Sequence, residues 1–228
     1  MTPTVLLFDI DGTLVATGGA GKRAMVAAFA ELHASPHVFE GFNFGGMTDR
    51  AIVRHGVVAV RGACEEHDID RALDAYFVHL QRELVERKGY VVYPGVHEIL
   101  AAVRELPGVA VGLGTGNIKK GAYAKLAPGD LHGSFAFGGF GCDHEDRGEL
   151  LRAGARRGAE ALGVPLDDCR VVVIGDTPRD VAAAHKIGAE CIGVGTGGVA
   201  PAKLVELGAK TAFETLADAG VRDALLGR

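Results

Sequence analysis

Three hydrophobic segments of this chain each end in a polar side chain that can take part in catalysis. The segment VLLFD ends at Asp9, AVGLGT ends at Thr115, and VVVIGD ends at Asp176. In an open parallel sheet, ligands collect outside the carboxyl ends of the strands. We therefore expect these three side chains to lie together, although they are far apart in the sequence.

The first of these segments carries two carboxylates, Asp9 and Asp11, within DIDGT. A carboxylate such as Asp9 can attack an electrophilic centre and form a covalent intermediate. Asp11 could protonate the leaving oxygen and later deprotonate the water that cleaves this intermediate. Gly12 lets the backbone turn sharply, and Thr13 can hydrogen-bond locally to fix the turn. The pair is thus predicted to supply a nucleophile and a general acid/base.

The acidic residues also predict a cation site. Asp9 next to Asp176, with Asp180 one helical turn further on, would gather several negative charges in a small space. Such a cluster is unfavourable unless a cation lies among the carboxylates. A few oxygen ligands favour Mg²⁺. This ion would also reduce the repulsion between a carboxylate nucleophile and an anionic phosphate.

A phosphoryl group at this site would need hydrogen-bond donors on its other oxygens. The hydroxyl of Thr115 and the backbone N–H groups near Gly116 and Asn117 are candidates. Arg147 could add a fixed positive charge. These residues are the predicted phosphate ligands.

The elements that must position these residues alternate between strand and helix. Continuous apolar runs indicate strands buried on both faces, which is typical of a parallel sheet. The predicted strands cover residues 5–10, 109–114, 135–141, 170–176 and 191–197, and the predicted helices between them cover 94–106, 148–163 and 177–188. This order predicts an α/β fold with a doubly wound, Rossmann-like parallel sheet.

One interval interrupts the alternation. Between about Gly18 and Tyr90 we find helical spacing at 22–33, 48–62 and 69–89, and no convincing strand. We therefore expect an all-helical insertion: an α/β core domain formed by residues 1–17 and 91–228, and a helical domain formed by 18–90. Glycines at 18, 19 and 21 and the segment GYVVYPG at 89–95 are the candidate hinges.

Composition excludes several classes of protein. Apolar residues make up 48% and charged residues 23%, as in globular proteins. The net charge is -5 with scattered basic residues, so we expect neither nucleic-acid nor membrane binding. The four cysteines form no CxxC pair, and the first residues lack a basic leader, so we expect reduced thiols and a cytoplasmic location. GVGTGG at 193–198 fits GxGxxG, but comes too late for a dinucleotide fold.

The ordered motifs resemble those of a known superfamily. DIDGT at 9–13, Thr115 in GLGTGN, a basic residue before a helix and GDTPRD at 175–180 resemble the four motifs of the haloacid dehalogenase-like (HAD) superfamily. The chain resembles its phosphoglycolate phosphatase-like members, and the helical insertion resembles the C1 cap of the superfamily. The resemblance implies that Asp9 is the nucleophile and Asp11 the acid/base. It also implies Mg²⁺ ligands from Asp9, Asp176 and the carbonyl of Asp11, with Asp180 acting indirectly or through water.

The third motif departs from the usual pattern. Relatives of the phosphoglycolate phosphatase type carry a lysine followed by proline, whereas here DHEDRGELL places Arg147 in that position. Arginine keeps the charge but differs in shape and hydration. Lys119, Lys120 and Lys125 are the alternative donors.

The resemblance implies a Mg²⁺-dependent phosphatase that acts on a small phosphomonoester, phosphoglycolate-like or a sugar phosphate, through an aspartyl-phosphate. Thr48 and Asp49 in GGMTDR lie where similar phosphatases carry groups that face the substrate. A phosphosugar mutase is the main alternative. A haloacid dehalogenase and a non-catalytic module that binds phosphate or metal are less favoured, and fold alone does not fix the substrate. The sequence leaves the oligomeric state open.

Overall fold

The protein is described by a computed structural model that covers residues 2–228. Its strands, in chain order, are β1 Thr4–Phe8, β2 Val15–Thr17, β3 Tyr90–Val92, β4 Val109–Thr115, β5 Gly138–Phe140, β6 Arg170–Gly175, β7 Glu190–Val194 and β8 Thr211–Phe213. Its α-helices are α1 Ala20–His33, α2 Asp49–Arg61, α3 Glu66–Glu86, α4 Val96–Arg104, α5 Lys119–Leu126, α6 Arg147–Leu162, α7 Pro178–Lys186, α8 Pro201–Glu206 and α9 Val221–Leu226.

A six-stranded sheet with the order β5-β4-β1-β6-β7-β8 forms the centre of the molecule, and every neighbouring pair in it is parallel. Side chains alternate between its faces. On β1, Leu6 and Phe8 pack into one hydrophobic cluster, and Val5 and Leu7 pack into another on the opposite face. Because both faces are covered, the strands are apolar throughout, and the predicted Rossmann-like α/β fold is confirmed.

A short antiparallel ribbon of β2 and β3 connects the sheet to the helices α1–α3. Val15 lies opposite Val92, and Thr17 lies opposite Tyr90. The sequence analysis did not predict either strand, and it interpreted 89–95 only as a hinge segment. Three residues per strand are too few for an alternating pattern to stand out, and this also explains why β8 was missed.

Helices α1–α3 build a hydrophobic cluster of their own, and we refer to residues 20–86 as the helical lobe. Its largest buried side chains are Phe29, Phe39 and Tyr76. Ile118, from the segment before α5, joins this cluster and links the lobe to the sheet. The domain boundaries at residues 18 and 90 stay a prediction, with the ribbon lying at the junction.

Candidate active site

The ends of β1, β4 and β6 lie side by side. Phe8 is paired with Leu113 on one side and with Ile174 on the other, so the residues that follow leave the sheet at the same edge. Asp9, Thr115 and Asp176 line a single cavity of about 380 Å³ there, and all three are buried. The three residues therefore lie together, as expected from the sequence.

Three carboxylates crowd one wall of this cavity. Asp9, Asp176 and Asp180 each place one oxygen within 4.8 Å of the others. Burial raises the pKa of Asp9 to about 6, although Arg147 opposes this effect. Burial, together with repulsion from Asp180 and Asp9, raises the pKa of Asp176 to about 8. The protein alone does not fully stabilise the charged cluster, as expected of a site that binds a cation.

Asp176 is enclosed by glycines. Gly12 has a φ of +87°, and a Cβ there would lie 2.3 Å from Oδ2 of Asp176. A Cβ at Gly197 would lie 1.6 Å from the same oxygen. Thr13 donates its hydroxyl to Oδ1 of Asp176 at 3.0 Å, and no other described residue donates a hydrogen bond to this carboxylate. The oxygen Oδ2 thus has no protein donor, which suits a metal ligand.

Arg147 is the first residue of α6 and reaches the acidic cluster from there. Asp146 caps this helix by accepting from the N–H groups of Gly148 and Glu149. The Nη2 atom of Arg147 lies 2.8 Å from Oδ2 of Asp9, and its Nε donates to Oδ1 of Asp180 at 3.0 Å. The side chain of Arg147 is 9% exposed, so one buried cation is shared by two carboxylates.

Asp180 is held from its other side by the start of α7. Its Oδ2 accepts from the N–H of Thr177 at 3.0 Å and from the hydroxyl of Thr177 at 2.7 Å. Together with Arg147, these contacts engage both oxygens of Asp180. This agrees with the indirect role that the family resemblance implies.

The three alternative lysines lie in different surroundings. Lys119 has its Nζ 5.9 Å from the ring centre of Phe140, and Lys120 forms a salt bridge with Asp74. Neither of these two lysines lines the cavity, whereas Lys125 does. Arg147 and Lys125 are thus two buried cations of the site, and the assignment of Arg147 to the third motif stays a prediction.

Lys125 and Asn117 form a hydrogen-bonded group around Asp11. The Nζ of Lys125 lies 2.6 Å from Oδ2 of Asp11 and 2.6 Å from Oδ1 of Asn117. The Nδ2 of Asn117 donates to the same oxygen of Asp11 at 2.9 Å and to the hydroxyl of Thr115 at 2.8 Å. Burial alone would lower the pKa of Lys125, but the nearby carboxylates Asp11 and Asp49 raise it. Lys125 is thus an ammonium.

Asp49 joins the helical lobe to the loop after β4, and Thr48 joins it to the segment between β5 and α6. The N–H of Asp49 donates to the carbonyl of Gly116 at 2.8 Å, and Oδ2 of Asp49 accepts from the N–H of Ile118 at 2.8 Å. Thr48 donates its hydroxyl to the carbonyl of Glu145 at 3.1 Å and also caps α2. Asp49 lines the cavity, and Thr48 is not among the lining residues. Their role towards the substrate stays a prediction.

Two features of the site were missed by the sequence analysis. The segment GVGTGG brings Gly197 against Asp176, and Thr196 donates to the carbonyl of Gly12. Tyr76 on α3 is 1% exposed and lines the cavity. A tyrosine on the apolar face of an amphipathic helix cannot be distinguished by sequence from an ordinary core residue.

The model of the haloacid dehalogenase-like hydrolase family matches residues 3–188 of this chain. The chain therefore belongs to this family, and the prediction that it is a hydrolase of the HAD superfamily is confirmed. No protein of curated function matches its sequence.

Solved structures share the whole fold at low sequence identity. A predicted phosphatase from Clostridium acetobutylicum has a TM-score of 0.70 at 18% identity, with 100% of both chains covered. A predicted phosphoglycolate phosphatase from Haemophilus somnus has a TM-score of 0.66 at 17% identity, with 95% of each chain covered. CbbY from Rhodobacter sphaeroides, in complex with phosphate, has a TM-score of 0.67 at 19% identity, with 96% of this chain and 97% of CbbY covered.

Among the helices of residues 2–228, none combines the length and the apolar character required to cross a lipid bilayer.

Proposed function

We propose that this chain is a Mg²⁺-dependent phosphatase that hydrolyses a small phosphomonoester through a phosphorylated Asp9. The observation that carries the proposal is the placement of Asp9. Its carboxylate is buried at the end of the central strand, beside the guanidinium of Arg147 and two further carboxylates. Asp11 follows two residues later and faces the same cavity.

The reaction follows in two steps from these positions. An oxygen of Asp9 attacks phosphorus, the bond from phosphorus to the ester oxygen breaks, and this oxygen takes a proton from Asp11. Asp11 then takes a proton from water as the water oxygen attacks phosphorus. The bond between phosphorus and Asp9 breaks, and this releases phosphate and restores both carboxyl groups. In this proposal, Thr115 and Arg147 bind the oxygens of the phosphoryl group.

The acidic cluster fits Mg²⁺, because its donors are oxygens and Asp176 keeps one oxygen free of protein donors. We expect Asp9, Asp176 and the carbonyl of Asp11 to hold the ion. Bound there, it would reduce the repulsion between Asp9 and the phosphate. Asp180 would act through Arg147 and Thr177, which it contacts.

The position of the helical lobe supports the proposal that the substrate is small. A cavity of about 380 Å³ lies between the lobe and the sheet, and Met25, Ile52 and Tyr76 of the lobe line one side of it. This volume suits a metabolite and not a polymer. We take residues 18–90 as a cap that excludes water and selects the substrate. Phosphoglycolate or a sugar phosphate is the substrate class that we propose.

The first prediction concerns the nucleophile. Asp9→Asn should lower kcat for p-nitrophenyl phosphate by more than about 1,000-fold, because an amide does not attack phosphorus. Release of p-nitrophenol measures this change, and circular dichroism checks that the variant is folded. Treatment with a chelator should remove activity in the same way, and added Mg²⁺ should restore it.

The exposed Asp167, which lies outside the cavity, offers a matched control as Asp167→Asn, for which unchanged turnover is expected. Full activity in Asp9→Asn would contradict the assignment of the nucleophile. Conversion of glucose 1-phosphate to its 6-phosphate, without release of phosphate, would instead indicate the mutase.

A further inference from the structure

Lys125 is a buried lysine with an unusual environment for a helical residue. Its side chain is 6% exposed, and α5 places its ammonium against Asp11 and Asn117. The backbone carbonyl of Lys125 accepts from the hydroxyl of Tyr90 at 2.9 Å, which ties this turn of the helix to β3. A buried ammonium is costly unless it is paired and hydrogen-bonded. Here both conditions are met.

The contacts to Asp11 are one-sided. Lys125 and Asn117 both donate to its Oδ2, and no described residue donates to its Oδ1. The side chain of Asp11 is 42% exposed, so packing does little to fix its orientation. These two donors therefore fix which oxygen of Asp11 is engaged and leave Oδ1 without a donor among the described residues.

Each of the two catalytic aspartates is contacted by a different buried cation. Arg147 contacts Asp9 and Asp180, whereas Lys125 contacts Asp11. The lobe also closes over the lysine, because a Cβ at Gly21 of α1 would lie 3.3 Å from its Nζ. The ammonium is therefore bound by the segments after β1 and β4, with α1 of the lobe lying next to it.

We propose that Lys125, with Asn117, is a positioning residue that orients Asp11 for proton transfer to the leaving oxygen. This inference rests on the proposed phosphatase function. The role differs from that of a phosphate ligand. Loss of the Lys125 side chain should impair the transfer of the proton more than the binding of the phosphoryl group.

The test compares two aryl phosphates of similar shape. The leaving group of p-nitrophenyl phosphate is a weak base that departs without a proton, whereas that of phenyl phosphate is more basic and needs the acid. General acid catalysis contributes about 100-fold or more. Lys125→Met should therefore lower kcat/KM for phenyl phosphate by about 100-fold, and that for p-nitrophenyl phosphate by less than about tenfold. Lys203→Met, at an exposed salt bridge on α8, is the control and should change neither value.

A second measurement separates positioning from a structural role. In an Asp11→Asn background, the further change Lys125→Met should cost less than about threefold in kcat/KM for phenyl phosphate, because no acid remains to be oriented. If Lys125→Met does not fold, Lys125→Gln keeps a hydrogen-bond donor without the charge, and it should show a smaller loss with the same preference between the substrates.

The outcomes distinguish the two hypotheses. If the wild-type protein hydrolyses neither ester, the proposed function fails. If the wild type is active, three results would overturn the inference. The Lys125 variants could lose kcat/KM equally on both esters, or they could keep full activity. The change at Lys125 could also cost as much in the Asp11→Asn background as in the wild type.

Discussion

In this site, buried side chains of opposite charge lie next to each other. Arg147 lies between Asp9 and Asp180 and is almost fully enclosed. Its guanidinium has the fork geometry that can serve two carboxylates at once, which a lysine ammonium cannot reproduce. The attraction of both acids outweighs the effect of burial and raises the pKa of Arg147 above its usual range.

Replacement of Arg147 should affect both stability and turnover. Arg147→Met leaves two buried carboxylates without their cation, so we expect a loss of about 3–5 kcal/mol in the free energy of unfolding. Arg147→Lys should retain part of the stability and more activity than Arg147→Met. Urea unfolding in the presence of a chelator and hydrolysis of p-nitrophenyl phosphate measure the two effects.

The exposed Arg222, changed to Met, provides the matched control. Equal stability of Arg147→Met and the wild type would show that the ion pairs contribute nothing.

The acidic residues of the site were predictable, but the cations were not all assignable. Asp9 and Asp176 end apolar strands, and the topology of a parallel sheet brings such ends together. Lys125 carries no comparable signal, because a lysine on a helix is usually solvated. Only the folded structure shows that α5 turns this residue towards Asp11.

At the scale of elements, α6 and β5 approach each other closely enough to set the position of Arg147. A Cβ at Gly139 on β5 would lie 1.8 Å from the carbonyl oxygen of Leu150 on α6. Gly154, one turn further along α6, faces Gly139 in the same way, because a Cβ at Gly154 would lie 2.8 Å from the N atom of Gly139. Two facing glycines thus allow contact between backbones.

Addition of a methyl group at this contact should push the helix away. Gly139→Ala is expected to cost about 1–3 kcal/mol of stability by overpacking. It should also lower kcat, because Arg147 is the first residue of the displaced helix. Thermal unfolding and steady-state kinetics measure both effects, and Gly133→Ala, at an exposed site with open space around it, is the control. A fully stable and active Gly139→Ala variant would contradict this account of α6.

Long elements with a regular pattern were predicted to within a few residues, and short ones were not. The predicted helix at 148–163 is found as Arg147–Leu162, and the predicted strand at 109–114 as Val109–Thr115. The helix α5 was missed, since KKGAYAKL mixes glycine with charged residues on several sides. Helices α8 and α9 have six residues each, too few for periodicity to be read.

At the scale of the whole molecule, the acidic cluster couples cation binding to pH. The pKa of Asp176 rises from 3.8 to about 8 on folding. Between these values the folded state holds a proton that the unfolded state has lost, so this group lowers the stability of the metal-free protein as pH rises. A bound cation must displace that proton, so it binds more tightly at higher pH.

Mg²⁺ should therefore raise Tm by more at about pH 8 than at about pH 6. Thermal unfolding at both pH values, with Mg²⁺ and with a chelator, measures the two increments. In Asp176→Asn, both increments should be small, because a ligand of the ion is lost. Equal increments in the wild type, or none, would contradict a cation site that includes Asp176.

The ribbon of β2 and β3 has a consequence for how this molecule can change over evolutionary time. The outgoing and returning stretches of chain run side by side, and a Cβ at Gly18 would lie 2.9 Å from the Cα of Gly89. A segment whose two ends nearly touch can be shortened, lengthened or exchanged by recombination without opening the remainder of the protein. New substrates could thus be acquired by grafting a different insert onto an unchanged reaction centre.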